Sequence, residues 1–192
     1  MKFPWKDDDP YWDAFVNRPP ADPNNLLPHA FKQVPEGGVN PVRTEVHSPN
    51  IMASHVKELG RFYGADLVGI IERVGADPPF AIISLLRADH DTRTAHGIGG
   101  QTPALKGTFA TFTLSAYIRE LGYRCARSDA EDAERLALAA GLGQLDADGR
   151  LVSHRYGRKV HVADVLLTDL PLEPDGQFPL PMGEGEGEGR AS

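Results

Sequence analysis

Apolar positions and breakers divide the chain into segments before any composition is counted. Between residues 49 and 64, Ile51, Met52, His55, Val56, Leu59 and Phe62 recur at helical spacing, which predicts an amphipathic helix closed by Gly64. The runs ADLVGIIERV from residue 65 and FAIISLL over 80–86 are short, apolar and bounded by turn residues, so both read as strands. Residues 87–103 carry no periodicity and read as a loop. A helix is expected from about Ala104 to Leu121, burying Phe109, Phe112, Ala116 and Tyr117 and ending at Gly122. A further helix over 129–140 follows, with Ser128 as its cap, Glu131 at capping-box spacing, and Gly141 and Gly143 as its stop. Residues 151–170 are strand-like on both sides of a Tyr156-Gly157 turn. Strands interleaved with helices predict an α/β, or layered α+β, domain.

The ends differ in composition. Residues 1–50 are rich in proline, yet hold Trp5, Tyr11, Trp12, Phe15 and Phe31, so they read as an extended arm packed on the domain. The domain itself is expected over 51–175. Residues 176–192 end in alternating Gly and Glu and cannot bury enough apolar surface to offset their ordering entropy; they are expected to be disordered and dispensable.

Overall charge and cysteine content narrow the function. The net charge of −7 argues against nucleic acid as a partner. No apolar run reaches the roughly 20 residues of a membrane span, and no export signal is read at the N-terminus, so a cytoplasmic protein is expected. Cys125, the one cysteine among 192 residues, excludes an internal disulfide and a cysteine-built metal centre within this sequence. His90, His96, His154 and His161 match no zinc spacing and read as surface or hydrogen-bonded histidines, so no metal site is expected. Gly97 to Gly100 is a weak phosphate-loop candidate. The glycines of AGLGQLDADG permit close approach to a flat ligand, or simply build a turn.

Five short motifs nevertheless fall in order: Leu121-Gly122-Tyr123, Ala140 to Gly143, Gly149 to Val152, Tyr156-Gly157 and Thr168 to Leu172. This series resembles the corrinoid-binding region of reductive dehalogenases and of their relative epoxyqueuosine reductase. The resemblance covers about residues 60–175 and is best after Leu114. It implies a nitroreductase-like, cobalamin-binding sheet with flanking helices. It further implies cobalamin contacts from Gly141, Leu142, Gly143, Tyr156, Gly157, Thr168, Asp169, Leu170 and Pro171. In the family, the corrinoid binds base-off, and two [4Fe–4S] clusters that follow the Leu-Pro-Leu motif feed it electrons.

The sequence departs from that pattern. Where the family's cluster cysteines begin, after Asp175, it runs into GQFPLPMGEGEGEG, so no iron–sulfur cluster is expected and the gene reads as truncated. No tyrosine lies between Tyr63 and Tyr117, where dehalogenases place their proton donor. His161 stands nearest the position of a family arginine and is the one weak catalytic candidate. Three functions follow as expectations. The first is a cobalamin-binding oxidoreductase fed by an external ferredoxin or flavoprotein. The others are a non-catalytic remnant and a flavin-binding reductase of related fold. A homodimer is left open.

Overall fold

A computed structural model describes residues 30–31, 33–89, 98–128 and 131–176, with backbone alone for 98–101. The N-terminal residues 1–29, the segment 90–97 with His90 and His96, and the tail from 177 lie outside the described residues.

Two near-continuous apolar runs become the centre of a sheet. β1 (Leu67–Glu72) and β2 (Phe80–Arg87) pair antiparallel, with Ile70 opposite Ile82. Every residue from Val68 to Ile71 and from Ala81 to Leu86 is buried, so both faces of this hairpin are covered. The sheet order is β1-β2-β7-β3, with β3 at Cys125–Ser128 and β7 at Val165–Thr168. β6 (Val160–Val162) pairs with the far half of β2, in line with β7. All these pairs are antiparallel, so the fold is mixed α/β with an antiparallel sheet and flanking helices.

Two helices cover the first face. α1 (Pro49–Phe62) is capped by the Ser48 hydroxyl, which accepts from the Ile51 N–H. The chain leaves it through Gly64 at φ 113°. Its inward residues are Ala53, Val56 and Gly60, whereas Ile51 and Phe62 are 72% and 82% exposed. The expected apolar stripe is therefore rotated: small residues face the sheet because a Cβ on Gly60 would already lie 2.8 Å from Val68. α2 (Ile98–Glu120) starts inside the expected loop and carries Pro103 near its start. It buries Ala110, Leu114 and Ile118, and Phe109 is 47% exposed, so its stripe is displaced as well. Gly107 sets the depth, because a Cβ there would meet Ala163 at 3.0 Å and Leu86 at 3.1 Å.

The second face is covered by α3 (Ala133–Ala139) and a hairpin of β4 (Gly143–Leu145) and β5 (Leu151–Ser153). α3 begins later than the sequence predicts. Ser128 is engaged in β3 opposite Val165, and the Asp132 carboxylate caps the helix by accepting from the Arg135 N–H. Ala140 and Leu142 press on Gly69, whose missing Cβ would lie 2.6 Å from Ala140.

The segment before α1 runs along the domain. The Asn40 and Thr44 N–H groups donate to the carbonyls of Arg119 and Leu121. The Glu36 carboxylate accepts from Arg119 at 2.5 Å and from Arg127 at 3.1 Å, and both guanidiniums are nearly buried. Phe31 packs on Phe112 with ring centroids 5.3 Å apart. At the other end, Asp175 closes along β1: its N–H donates to Ile70 O, its carboxylate accepts from Ile70 N–H, and it pairs with Lys57.

Candidate functional site

Two of the three sequence-predicted segments come together on the second face. Ser153 pairs with Gly143 on one side and bridges Gly157 on the other. The Gly141–Gly143 loop and the Tyr156-Gly157 turn are therefore two strand spacings apart, roughly 9–10 Å. Within this platform the residues have different duties. Gly141 closes α3 at φ 69°, where its N–H donates to Leu138 O and that of Leu142 to Ala137 O. The Leu142 side chain packs into the core of the second face. Gly143 neither ends a helix nor faces an open space, since a Cβ there would lie 2.4 Å from Val152 O. Gly157 is the open one: φ is 61° and nothing lies within 4 Å of where its Cβ would stand. Tyr156 is half-buried against the same core, with the Arg155 guanidinium 5.4 Å from its ring centre.

The third segment sits elsewhere. Thr168 shares the face of Leu166, and Leu170 belongs to the first-face core with Ile70 and Ile118. Thr168 is fully buried; its hydroxyl donates to Arg124 O at 2.7 Å and accepts from Leu170 N–H at 3.1 Å. Asp169 is held by the Arg124 N–H at 2.7 Å, by Arg124 Nε at 3.0 Å and by Arg43 at 3.1 Å. Pro171 is half-buried. These groups are committed to the β7–β3 end of the sheet and lie across it from Tyr156 and Leu142.

His161 stands opposite Leu86 on β6, with its ring 3.5 Å from the Cβ position of Gly107 on α2. It therefore packs between sheet and helix, away from the Tyr156 platform. Among the described residues, no group of three or more His, Cys, Asp or Glu is placed to hold a metal. Cys125 is 4% exposed, and burial pushes its thiol up to about 12.

The sequence pattern missed a cleft of about 530 Å³ beside β6. Glu131, Glu134, Arg150 and Arg158 are among the residues that line it. The charges are matched locally. Glu131 pairs with Arg73 at 2.7 Å, Glu134 accepts from the Leu151 N–H at 2.8 Å, and Arg158 pairs with Asp146 at 3.0 Å. The Arg150 N–H, joined by that of Asp148 and by the Arg158 guanidinium, holds the Asp146 carboxyl below the usual carboxylate range. The one local signal was the Asp146-to-Gly149 turn, with Gly149 at φ 70°. Nothing in the periodicity joins residues 131–134 to 149–162.

Comparison with known proteins places the fold. No protein-family model and no curated sequence matches the chain. Among solved structures, the catabolic reductive dehalogenase NpRdhA superposes with a TM-score of 0.67 and 24% identity over 84% of this chain. A structure titled as suggesting a mechanism for B12-dependent dehalogenation superposes at 0.68, with 23% identity over the same share. Epoxyqueuosine reductase from Streptococcus thermophilus reaches 0.47 over 66%. The chain spans about a quarter (25%) of the length of the dehalogenases it matches. Among the described residues, no helix is long and apolar enough to cross a membrane. Across 84% of its length, then, this chain is folded like part of a reductive dehalogenase.

Proposed function

We propose that the chain is a corrinoid-binding module of reductive-dehalogenase type, with Tyr156 and Gly157 at the ligand. The likeness of fold over 84% of the chain to a dehalogenase whose chemistry is B12-dependent carries this reading. The order of the Gly-rich, Tyr-Gly and Thr-Asp-Leu-Pro motifs supports it.

The residues differ in how they fit a corrinoid. The Tyr156-Gly157 turn suits it: an open backbone at Gly157 admits a flat macrocycle, and Tyr156 offers an aromatic face and a hydroxyl. Gly141, which closes α3, and the half-buried Leu142 stand on the same platform. Thr168, Asp169 and Leu170 do not suit it, because their polar groups and side chains are already used inside the protein. When bound, a corrinoid supplies a cobalt centre for reduction. The chain's own part is to seat the ring edge and to shield it from water on the core side. Electrons would come from a donor outside these residues, a ferredoxin or a flavoprotein, in the cytoplasm.

Ultraviolet–visible titration with hydroxocobalamin tests the reading, with flavin mononucleotide as the competing ligand. A saturable spectral shift with the corrinoid alone is expected, weakened by Tyr156→Ala. A shift with the flavin alone would replace the reading by a flavin-binding one. No shift with either would leave a folded remnant.

A further inference from the structure

We propose that Arg119 and Arg127 form a binding site for a dianionic oxyanion of the phosphate class, and that the Glu36 carboxylate is its built-in, displaceable occupant. The site lies at β3, which ends the sheet order. Three donors converge on the Glu36 carboxylate: Arg119 Nη1 at 2.5 Å, Arg127 Nε at 3.1 Å and the Arg127 main-chain N–H at 3.2 Å. The other two Arg127 nitrogens, Nη1 and Nη2, donate to the Phe31 and Val34 carbonyls at 3.0 and 3.4 Å. The domain side steadies both cations. Arg119 donates to Cys125 O at 2.9 Å, and the Arg127 guanidinium lies 5.6 Å from the Phe112 ring centre. A carboxylate therefore already sits in a cradle of two guanidiniums and a main-chain N–H, the donor set that recognises oxyanions.

The charges in that cradle do not balance. The side chains of Arg119 and Arg127 are 6% and 8% exposed, and among the described residues Glu36 is the one carboxylate within ion-pair range of either. Two nearly buried cations thus share a single negative charge, and buried charge left uncompensated is costly. A dianion supplies the missing charge, and its further oxygens can accept from the Arg127 nitrogens that now serve Phe31 and Val34. The present occupant is exchangeable. Glu36 is 36% exposed, and every residue from Gln33 to Val39 is exposed, so apolar burial does not fix the stretch that carries it. Anchors of that stretch fall on the same two residues: Phe31, Val34 and Glu36 accept from their guanidiniums, and the Asn40 N–H donates to Arg119 O at 3.0 Å. An anion that takes the cradle therefore loosens the strap before α1.

The test titrates the full chain with inorganic phosphate at pH 8, where it is a dianion, against acetate and chloride at matched ionic strength. By nuclear magnetic resonance, phosphate is expected to move the Glu36 carboxyl carbon to its solvated position and to shift the Arg127 amide, both saturably. Acetate, with one charge, should do neither. In Glu36→Ala the internal competitor is gone, so phosphate should raise Tm saturably and act at a concentration about tenfold or more below that needed for the parent chain. Glu36→Gln serves the same purpose where the alanine variant does not fold. Adding Arg127→Gln to either should abolish the rise. An unmoved Glu36 resonance at about 100 mM phosphate overturns the inference, because the pair is then a fixed structural one. So does a variant that phosphate stabilises no better than chloride, and so does acetate acting as well as phosphate, which would remove the charge argument.

Discussion

Gly143→Ala is the most direct perturbation of the platform, because what surrounds the new methyl group is backbone. Its carbon would stand 2.4 Å from Val152 O, 2.9 Å from Val152 C and 3.0 Å from Ser153 Cα. Gly143 and Ser153 form the first rung of the β4–β5 hairpin, and β5 cannot retreat. Ser153 is tied to Gly157 by two hydrogen bonds of 2.9 Å, and the buried Leu151 is tied by its N–H to Glu134. Overpacking against well-held neighbours costs about 1–3 kcal/mol, and a backbone collision belongs at the upper end. For a chain of this length that is a fall in Tm of about 4–12 °C. Thermal unfolding followed by circular dichroism reads it. Gly38→Ala, with nothing within 4 Å and no left-handed φ, is the control and should leave Tm unchanged or slightly raised. If Gly143→Ala unfolds within about 1 °C of the parent, the collision argument is wrong. Loss of corrinoid affinity without loss of stability would instead return Gly143 to the ligand.

Three further outcomes are expected. Glu36→Gln should cost about 1–2 kcal/mol in urea unfolding, since it removes the carboxylate shared by the nearly buried Arg119 and Arg127 while Glu36 itself is one-third exposed. An unchanged urea midpoint would refute that role. Asp146 is held below the usual carboxylate range in the folded state, so its contribution is present above the unfolded carboxylate pKa and is lost as pH falls through the lowered folded value. Asp146→Asn should therefore narrow its stability deficit as the medium is acidified, and a deficit constant with pH would contradict the assignment. Cys125, pushed up to about 12 by burial, should resist iodoacetamide at pH 8 in the folded chain and react in urea; rapid native labelling would show that β3 opens readily.

The sequence revealed elements where hydrophobicity alone decides, and misled where close approach decides. β1 and β2 were legible because a run such as Ala81 to Leu86 is apolar on both faces. The helix faces differ from the apolar periodicity, which points the large side chains inward. Gly60 and Gly107 instead draw α1 and α2 so near the sheet that Ala53, Val56, Ala110 and Leu114 make the contact. Phe62 and Phe109 are turned out by the same geometry. β3 was missed because Cys125-Ala126-Arg127-Ser128 has no alternation to show, and its place is set by pairing with β7. The cleft was invisible since its lining joins residues 131–134 to residues 149–162, 15 or more positions further along the chain.

Thr168 to Leu170 illustrates why a motif and a ligand contact are separate claims. A resemblance picks out residues that a fold needs as readily as residues that a ligand needs. Here the threonine hydroxyl bridges Arg124 O and Leu170 N–H, and the aspartate accepts from Arg124 main chain and side chain. The three bonds to Arg124 join the end of β7 to the turn before β3, so the segment fastens the sheet where α2 hands over to it. Among the described residues, Tyr156-Gly157 has no comparable set of side-chain bonds, and its backbone is open at the glycine. The two motifs should therefore separate by experiment. Asp169→Ala should lower stability, because it strands the Arg124 N–H, and should spare hydroxocobalamin affinity in the folded fraction. Tyr156→Ala should weaken that affinity beyond what its loss of core packing explains. The opposite pattern, with affinity lost in a well-folded Asp169→Ala and kept in Tyr156→Ala, would move the ligand to the other face of the sheet.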